Sequence, residues 1–446
     1  MWFLLDVVYC VAAVLYAPVL VYQRFAGGKR RTGWRERFGC LPPRPDPAPC
    51  VWIHAVSLGE TNATRSIVDA LRRERPDLPI AISTTTDTGY ARAREIYPDL
   101  YVFRYPLDFS WVVRRSLRTV RPAVIVLMEL EVWPNLVRLA ARHGIPVAVA
   151  NGRVTEDRSM RRFRKPLVRQ IARATFARLT WVGAQNQTYA ERFRELGVPS
   201  DRVHITGLLK WDTAEILDQV PGAEPLRTAV GLPAPAEGQP VWVCGQTGPG
   251  EEQAALDAFR LLRRKIGNLR LVIVPRKPER FDEVARLVAK TGLPYVRRSE
   301  HRDGSPPPPT APDVVLGDTL GELRKFYSLA TAAFVGRSLV PMGGSDVAEV
   351  AALAKPIIVG PHCENFEDSV AALRAAGGLL ICQATVDEPQ AAARLADCVG
   401  PLLADRRIAS EMGIAARRVV QENRGVTQRT VAAILRLVNH AQHGTP

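Results

Sequence analysis

The chain has 446 residues, a formal net charge of +15 at pH 7, and a globular composition with 47% hydrophobic and 24% charged residues. Such a length predicts two or three domains. The seven cysteines are odd in number and lack C-x-x-C spacing, and the seven histidines show no metal-ligand spacing, which argues against a disulfide framework and a zinc site. The excess of Arg and Lys suits a partner rich in phosphate: nucleic acid, an anionic membrane or a phosphorylated substrate.

The N-terminus is almost wholly apolar over residues 1–21, and roughly 20 such residues are needed to span a bilayer. A basic segment and linker follow at residues 24–49, and the positive-inside rule then leaves the body of the protein in the cytoplasm. A cleaved signal peptide would carry its charges before the apolar run. We therefore predict an uncleaved membrane-anchor helix at residues 1–23. A helix lying flat in the interface, which Asp6 favours, is the alternative.

Strand-like and helical segments alternate from Val51 onward, which is typical of parallel sheets covered by helices. The predicted strands are 51–56, 80–84, 101–105, 123–128, 147–150, 179–184 and 203–206 in the first half, and 241–245, 271–274, 314–316, 333–335, 357–359 and 379–382 in the second.

The alternation breaks at residues 215–240, where proline and glycine cluster, so we place an interdomain linker there. It separates an N-terminal domain at residues 50–214 from a C-terminal domain at residues 241–446, which ends in consecutive helices. Two doubly wound, Rossmann-like α/β domains facing a cleft form the glycosyltransferase B architecture. Nucleotide-sugar epimerases share it, so the fold alone leaves the function open.

Four charged residues are candidates for chemistry in the first half. Glu60 follows a strand and a Ser-Leu-Gly turn, which places it at the carboxyl end of that strand and in the first turn of a helix. A carboxylate there is a credible general base, although a glutamate that merely complements the helix dipole fits the pattern too. Glu129 and Glu131 follow a fully apolar strand, where carboxylates are either solvated or used. Lys210 follows the last strand and can meet a substrate carboxylate or a developing negative charge.

A basic segment with interleaved Met160 and Phe163 at residues 158–165 suits an anionic lipid surface or a phosphorylated acceptor. A solvated helix face is the alternative. Nucleic acid also fits the charge, but the predicted anchor disfavours it, so we predict no nucleic-acid partner.

Four strand-to-helix corners in the second half predict a nucleotide site. They are the glycine-rich turn at 245–252 and the segments 275–281, 317–322 and 336–349. Backbone N–H groups at such turns can hold phosphate, and Glu349 can accept from ribose hydroxyls. Several convergent corners in one domain favour a ligand site over coincidence.

The chain resembles the bacterial 3-deoxy-D-manno-octulosonic acid (Kdo) transferases of lipopolysaccharide synthesis. The segments that carry the resemblance are 33–39, 54–60, 131–135, 184–186, 207–210, 275–281, 317–322, 360–366 and 422–425. The resemblance implies an enzyme anchored on the cytoplasmic face of the inner membrane. It also implies that this enzyme transfers Kdo from CMP-Kdo to a phosphorylated lipid A precursor, lipid IVA, with inversion.

The resemblance also assigns site residues. Glu60 matches the family's catalytic base, and Glu129 and Lys210 match positions thought to stabilise the transition state. The positions that match CMP-binding segments are Pro275, Arg276, Leu320, Gly321, Glu322, Asp346, Val347, Ala348 and Glu349. Because CMP leaves as a monophosphate and no metal cluster is visible, we predict that transfer requires no metal and no cofactor. The partners implied are the CMP-sugar donor, the lipid acceptor and the anionic inner-membrane leaflet.

Three family histidines near the donor phosphate or sugar are missing. Family members usually have THEGEE where residues 247–252 read TGPGEE, GGHN where residues 343–346 read GGSD, and PRH where residues 275–277 read PRK. The replacements are Gly248, Ser345 and Lys277. They put the donor sugar in doubt more than the reaction class, so the alternative is a glycosyltransferase B enzyme or a sugar epimerase that uses a different activated sugar, such as a variant ulosonic acid.

Overall fold

The computed structural model describes residues 2–25, 32–234 and 238–443. The chain divides into two compact units. The first unit contains the chain up to Thr213 together with the residues from Arg424 onward, and the second runs from Ala214 to Asn423. Each unit is built on a seven-stranded sheet.

The strands of the first unit are β1 Cys50–Ala55, β2 Ile80–Thr84, β3 Tyr101–Arg104, β4 Pro122–Met128, β5 Val147–Gly152, β6 Trp181–Ala184 and β7 Val203–Ile205. Those of the second are β8 Val241–Thr247, β9 Arg270–Pro275, β10 Tyr295–Arg297, β11 Val314–Leu316, β12 Ala332–Val335, β13 Ile357–Val359 and β14 Leu379–Ile381.

The helices of the first unit are α1 Trp2–Phe25, α2 Trp34–Arg37, α3 Leu58–Glu74, α4 Asp87–Ile96, α5 Ser110–Val120, α6 Pro134–Arg142, α7 Arg161–Phe163, α8 Pro166–Phe176, α9 Gln187–Glu195, α10 Lys210–Thr213 and α19 Val426–His443. Those of the second are α11 Ala223–Ala229, α12 Glu251–Arg263, α13 Phe281–Ala289, α14 Leu323–Leu329, α15 Ala348–Ala352, α16 Glu367–Ala375, α17 Ala391–Ala404 and α18 Arg406–Glu422.

Both sheets are parallel, with strand orders β3-β2-β1-β4-β5-β6-β7 and β10-β11-β9-β8-β12-β13-β14. Central strands such as β1 and β4 are buried along their whole length, which explains why they read as continuous apolar runs. The predicted α/β fold with two parallel sheets is confirmed, and each predicted strand ends within two residues of the observed one. The sequence did not predict β10, a three-residue edge strand.

The predicted domain boundaries need correction at the C-terminus. The last helix, α19, belongs to the first unit, because its side chains Val431 and Ile434 pack into the same core as β1. Asp212 holds the start of this helix: its carboxylate accepts the backbone N–H groups of Gly425 at 2.7 Å and Thr427 at 2.5 Å. The second unit therefore ends at residue 423 rather than 446, and it includes the described part of the predicted linker, where α11 forms.

The predicted membrane-anchor helix at residues 1–23 also needs correction. A helix does form there, α1, but within residues 2–25, 32–234 and 238–443 no helix is long and apolar enough to cross a membrane. The one acidic residue of the apolar run is tied to the first unit: Asp6 accepts hydrogen bonds from the backbone N–H of Ser110 (2.9 Å), from its hydroxyl (2.5 Å) and from Asn135 Nδ2 (3.0 Å). Tyr9 adds a hydrogen bond to Asp108 at 3.1 Å. Part of the predicted basic segment, residues 26–31, lies outside the described residues.

Candidate active site

The first candidate group lies at the carboxyl edge of the first sheet, where the neighbouring strands β1 and β4 end. After β1, Ser57 caps α3: its hydroxyl oxygen accepts the backbone N–H of Glu60 at 3.3 Å. The Glu60 carboxylate reaches back to the Ser57 hydroxyl and to the backbone N–H of Val56, both at 2.9 Å. This reciprocal S-x-x-E arrangement is a capping box, and it aims the Glu60 side chain at the end of the strand.

Glu60 therefore satisfies both interpretations that its sequence position allows. It caps a helix, and it lies partly buried at the edge where ligands bind to open α/β sheets. Burial raises the pKa of Glu60, although the hydrogen bonds from Val56 and Ser57 lower it. A carboxylate with a raised pKa is a better proton acceptor than an ordinary surface glutamate.

Glu129 follows β4 with a left-handed backbone, φ 56°, which costs a non-glycine residue about 1–2 kcal/mol. Its backbone N–H donates to the carbonyl of Ala150 at 3.0 Å, which continues the sheet ladder into this turn. Burial, and then the negative charge of Glu60, raises the pKa of Glu129 to about 7, while the positive charges of Arg153 and Lys210 lower it. The structure thus brings Glu60, Glu129 and Lys210 into one electrostatic group.

Two further charged residues belong to this group and were not among the predicted catalytic residues. Arg153 follows β5, and its charge acts on Glu129. Glu131 accepts a hydrogen bond from Trp133 Nε1 at 3.0 Å, and burial followed by the charge of Glu60 raises the pKa of Glu131. The signal for Arg153 was its place directly after a predicted strand, because parallel strands end at one edge.

The second candidate group lies at the carboxyl edge of the second sheet, where β11, β9, β8 and β12 are neighbours. The segments that follow these strands therefore emerge side by side, as the sequence predicts. Pro275 is the last residue of β9, and the backbone N–H of Arg276 donates to the carbonyl of Thr247 at 3.1 Å. The Arg276 side chain is exposed, so its charge is accessible to an anionic ligand.

The Leu320-Gly321-Glu322 segment joins β11 to α14. The Leu320 side chain is 76% exposed, and Gly321 turns the chain with φ 81°. Glu322, by contrast, pairs with Arg298 at 2.8 Å and with Lys325 at 2.9 Å. The hydrogen bonds from Arg298 are the largest reason why the pKa of Glu322 falls to about 2. Glu322 therefore holds this loop in place, and Leu320 is the exposed side chain of the segment.

Residues 346–349 comprise the two residues before α15 and the first two residues of that helix. Asp346 accepts the backbone N–H of Ala348 at 3.0 Å, so its carboxylate is turned toward the beginning of this helix. Val347 and Ala348 are buried, which leaves them only backbone groups to offer, whereas the side chain of Glu349 is exposed. The Asp346 carboxylate, which the sequence places near a predicted phosphate, thus accepts a hydrogen bond from the chain's own backbone.

The glycine-rich turn after β8 holds a carboxylate that was not predicted to matter. Glu251, the first residue of α12, is 0% exposed. It accepts the backbone N–H groups of Gly248 (2.7 Å), Arg337 (2.5 Å), Ser338 (2.8 Å) and Leu339 (2.8 Å). Burial raises the pKa of Glu251, and these four hydrogen bonds lower it. Some of the N–H groups that the sequence suggests for phosphate are therefore used to join two loops.

No metal site stands out in the part of the chain that the structure describes: it contains no group of three or more His, Cys, Asp or Glu side chains placed as metal ligands would be. The predictions that transfer requires neither a metal nor a cofactor stay predictions. The assignments of the individual site residues likewise stay predictions, now with a geometry attached to each.

Relatives of known function share most of this chain. The family model described as 3-deoxy-D-manno-octulosonic-acid transferase (kdotransferase) matches residues 32–213. The 3-deoxy-D-manno-octulosonic acid transferase of Bordetella pertussis is 35% identical over 444 residues, which are 96% of this chain and 98% of that protein. The enzyme of the same name from Haemophilus influenzae is 33% identical over 409 residues, 91% of this chain and 90% of that protein.

Solved structures at lower identity show the fold alone. A UDP-GlcNAc 2-epimerase from Neisseria meningitidis, bound to UDP-GlcNAc, is 13% identical and superimposes with a TM-score of 0.56 over 87% of this chain and 100% of that one. A glycosyltransferase from Rickettsia africae is 11% identical, with a TM-score of 0.53 over 89% and 100%. Both support the glycosyltransferase B architecture. Because the two Kdo transferases are similar to this chain over nearly its whole length, the protein belongs to the Kdo transferase family and is a glycosyltransferase.

Proposed function

We propose that this enzyme transfers Kdo from CMP-Kdo to a phosphorylated lipid A precursor, lipid IVA, with inversion at the anomeric carbon. The observation that carries the proposal is the group formed by Glu60, Glu129 and Lys210 at one edge of the first sheet. It combines a partly buried carboxylate with a raised pKa, which suits a general base, and a cation that suits an acidic sugar.

The proposed reaction is a single displacement. Glu60 takes the proton of a primary hydroxyl of the acceptor, and the hydroxyl oxygen forms the new bond to the anomeric carbon of Kdo. The bond between that carbon and the CMP phosphate breaks, and CMP leaves with the electron pair. Arg276 stabilises the departing phosphate, and Lys210 faces the carboxylate that Kdo carries at its anomeric carbon. Attack from the face opposite CMP inverts the configuration.

The test is a transfer assay with the purified protein, CMP-Kdo and lipid IVA, read by mass spectrometry of the lipid. We expect the mass of the acceptor to increase by one or more Kdo residues, and we expect the same increase when a metal chelator is present. CMP-N-acetylneuraminate is the matched donor control, because it has the same leaving group and an acidic sugar. Product from that donor alone would contradict the Kdo assignment, and no product from either donor with a folded protein would contradict the proposal as a whole.

We also propose that the enzyme is attached to the anionic cytoplasmic face of the inner membrane. While Asp6 faces the first unit, α1 exposes a row of aliphatic side chains, Val7, Val8, Val11, Val14 and Leu15, that are 42–74% exposed. Such a helix suits the plane of the interface. This arrangement supports attachment by α1 lying flat.

Exposed aromatic rings extend this apolar surface beyond α1. Phe38 contacts both Trp34 and Trp111 with ring centroids 6.2 Å apart, and the three side chains are 40–53% exposed. Trp111 contacts Phe109, which in turn contacts Tyr9 of α1. Amphipathic aromatic rings favour the membrane–water boundary, and the net charge of +15 suits anionic headgroups.

Vesicle flotation tests this attachment. We expect the protein to float with vesicles that contain phosphatidylglycerol, and a variant with serine at Trp34, Phe38 and Trp111 to remain largely in the soluble fraction. A matched control replaces three exposed apolar residues of the second unit, Leu380, Ile408 and Ile414, with serine. Equal loss of flotation in both variants would contradict a role for the aromatic surface.

A further inference from the structure

One of the positions where family members usually have a histidine is bordered by a cationic side chain from another loop. Gly248 stands where family members usually have histidine. A Cβ atom added to Gly248 would lie 3.5 Å from Cγ of Arg337 and 3.2 Å from Sδ of Met342. The side chains of Met342, Val340 and Arg337, which all follow β12, therefore border the space next to residue 248, which follows β8. Of these three, Arg337 is the cationic side chain.

The guanidinium of Arg337 has donors without partners. One N–H group, on Nη2, donates to the carbonyl of Met342 at 3.2 Å, while Nε is buried without a hydrogen-bond partner. No carboxylate in the described ranges pairs with this side chain. The hydroxyl of Ser345, a residue only 5% exposed, is also buried without a partner, and it replaces a second family histidine. Buried polar groups are usually hydrogen-bonded, and a ligand that bonds to both Arg337 Nε and the Ser345 hydroxyl would supply the missing partners.

The backbone holds these two side chains in one built loop. Arg337 has φ 61°, a left-handed conformation that favours glycine, and its carbonyl accepts the N–H of Gly344 at 2.8 Å, next to Ser345. The buried carboxylate of Glu251 accepts the N–H of Arg337 at 2.5 Å and so holds the residue in this conformation. A strained residue that is held in place by a buried charge is a common feature of ligand-binding loops.

We propose that Arg337, together with Ser345, forms the subsite for an anionic group of the donor, and that it supplies the positive charge for which other family members have a histidine at position 248. The inference rests on the proposed CMP-sugar donor. That donor carries two anionic groups, the CMP phosphate and the sugar carboxylate, and a guanidinium binds either through charge-assisted hydrogen bonds. Because arginine stays charged where histidine loses its proton, donor affinity in this enzyme should not fall between about pH 6 and pH 8.

Arg337→Gly is the decisive variant, because its effects on folding and on binding have opposite signs. Glycine adopts a φ of 61° without strain, so the melting temperature should hold or rise. The KM for CMP-Kdo should rise about 10- to 100-fold, as expected when a hydrogen-bonded charge is lost, while kcat changes less. A purely structural arginine would show the reverse: a lower melting temperature and an unchanged KM.

Competition by CMP identifies the anionic group. If Arg337 binds the phosphate, Arg337→Gly raises the inhibition constant of CMP as much as the KM of CMP-Kdo. If it binds the sugar carboxylate, only the KM of CMP-Kdo rises.

A rescue variant tests the exchange between the two positions. Gly248→His in the Arg337→Gly background places the family's side chain in the space that the arginine leaves, and we expect it to recover donor affinity below about pH 6.5, where imidazole is protonated. Gly248→His alone should crowd Arg337 and Met342 and weaken donor binding. A wild-type enzyme without product contradicts the proposed function. If the wild type is active but Arg337→Gly keeps the wild-type KM for CMP-Kdo, only the Arg337 subsite is overturned. The same conclusion follows if the double variant has the same donor affinity as Arg337→Gly.

Discussion

Two glutamates, Glu129 at the edge of the first sheet and Glu322 at the edge of the second, have opposite surroundings. At the edge of the first sheet, burial and the charge of Glu60 raise the pKa of Glu129 to about 7. At the edge of the second sheet, Arg298 and other donors lower the pKa of Glu322 to about 2, and Glu251 accepts four backbone N–H groups. The first edge keeps Glu129, which can exchange a proton near neutral pH, whereas the second uses Glu322 and Glu251 to hold loops in shape.

This difference matches the chemistry that each edge would perform. Proton transfer needs a group whose pKa lies near the working pH, and active sites keep such groups at some expense of stability. Binding an anionic donor needs cations and backbone donors in fixed positions, so carboxylates there must be paired or turned away, as those of Glu322 and Asp346 are.

The largest expected effect comes from removing the base at the first edge. Glu60→Gln should lower kcat about 10²- to 10⁴-fold, because the amide cannot accept the acceptor's proton. The melting temperature should change little, since glutamine still accepts the hydrogen bond from Val56 or Ser57. A variant that is as active as the wild type would remove the proposed functional difference between the two edges.

An effect of intermediate size is expected at two neighbouring buried carboxylates of the second edge, Glu251 and Glu252, which should differ in their influence on donor binding. Glu252, 1% exposed, pairs with Arg280 at 2.6 Å and accepts a hydrogen bond from Thr247 at 2.7 Å, whereas Glu251 joins the loop that contains Arg337. Glu251→Gln and Glu252→Gln should each lower the free energy of unfolding by about 3 kcal/mol, measured by urea titration. Only Glu251→Gln should also raise the KM for CMP-Kdo. A shared rise in KM would show that stability alone explains the loss.

The smallest expected effect is on the free energy of unfolding, which should depend on pH in opposite directions through Glu129 and Glu322. The raised pKa of Glu129 means that the folded state binds an extra proton between about pH 4.5 and 7, so wild-type stability should fall relative to Glu129→Gln as the pH rises through this range. The lowered pKa of Glu322 means that its stabilisation is present above about pH 4.5 and is lost as the pH falls toward 2, so the advantage over Glu322→Gln should disappear in acid. Each difference should be about 1–2 kcal/mol after solvent screening. Parallel pH profiles for the wild type and Glu129→Gln would contradict the raised pKa.

Much of the fold could be predicted from the sequence because buried parallel strands are continuous apolar runs. β2 and β11 begin and end at the predicted residues, and Glu60 and Glu129 lie at the predicted strand ends. The exception, β10, is a three-residue strand at the edge of its sheet that ends in Arg297, so its composition lacks the signal of a buried strand.

The packing partners of the helices at the two ends of the chain could not be predicted from the pattern of apolar residues. An apolar run followed by basic residues predicts an anchor, but the hydrogen bonds that tie Asp6 to Ser110 and Asn135 join residues more than a hundred positions apart. The last helix, α19, reads as a neighbour of α18, yet it packs on the core of the first unit. The amphipathic pattern of a helix indicates that one of its faces is buried, but it does not indicate which part of the protein covers that face.

Local periodicity and short motifs were enough to predict the two α/β units, the sheet edges that carry the candidate residues and the family. How those residues are paired follows from the folded structure and could not be predicted from these patterns. Glu251 receives hydrogen bonds from residues 86, 87 and 88 positions away, and Arg337, which follows a neighbouring strand, borders the space beside Gly248. Whether a carboxylate exchanges protons or holds a loop depends on burial and on such partners, and the order of the sheet, rather than spacing along the chain, brings them together.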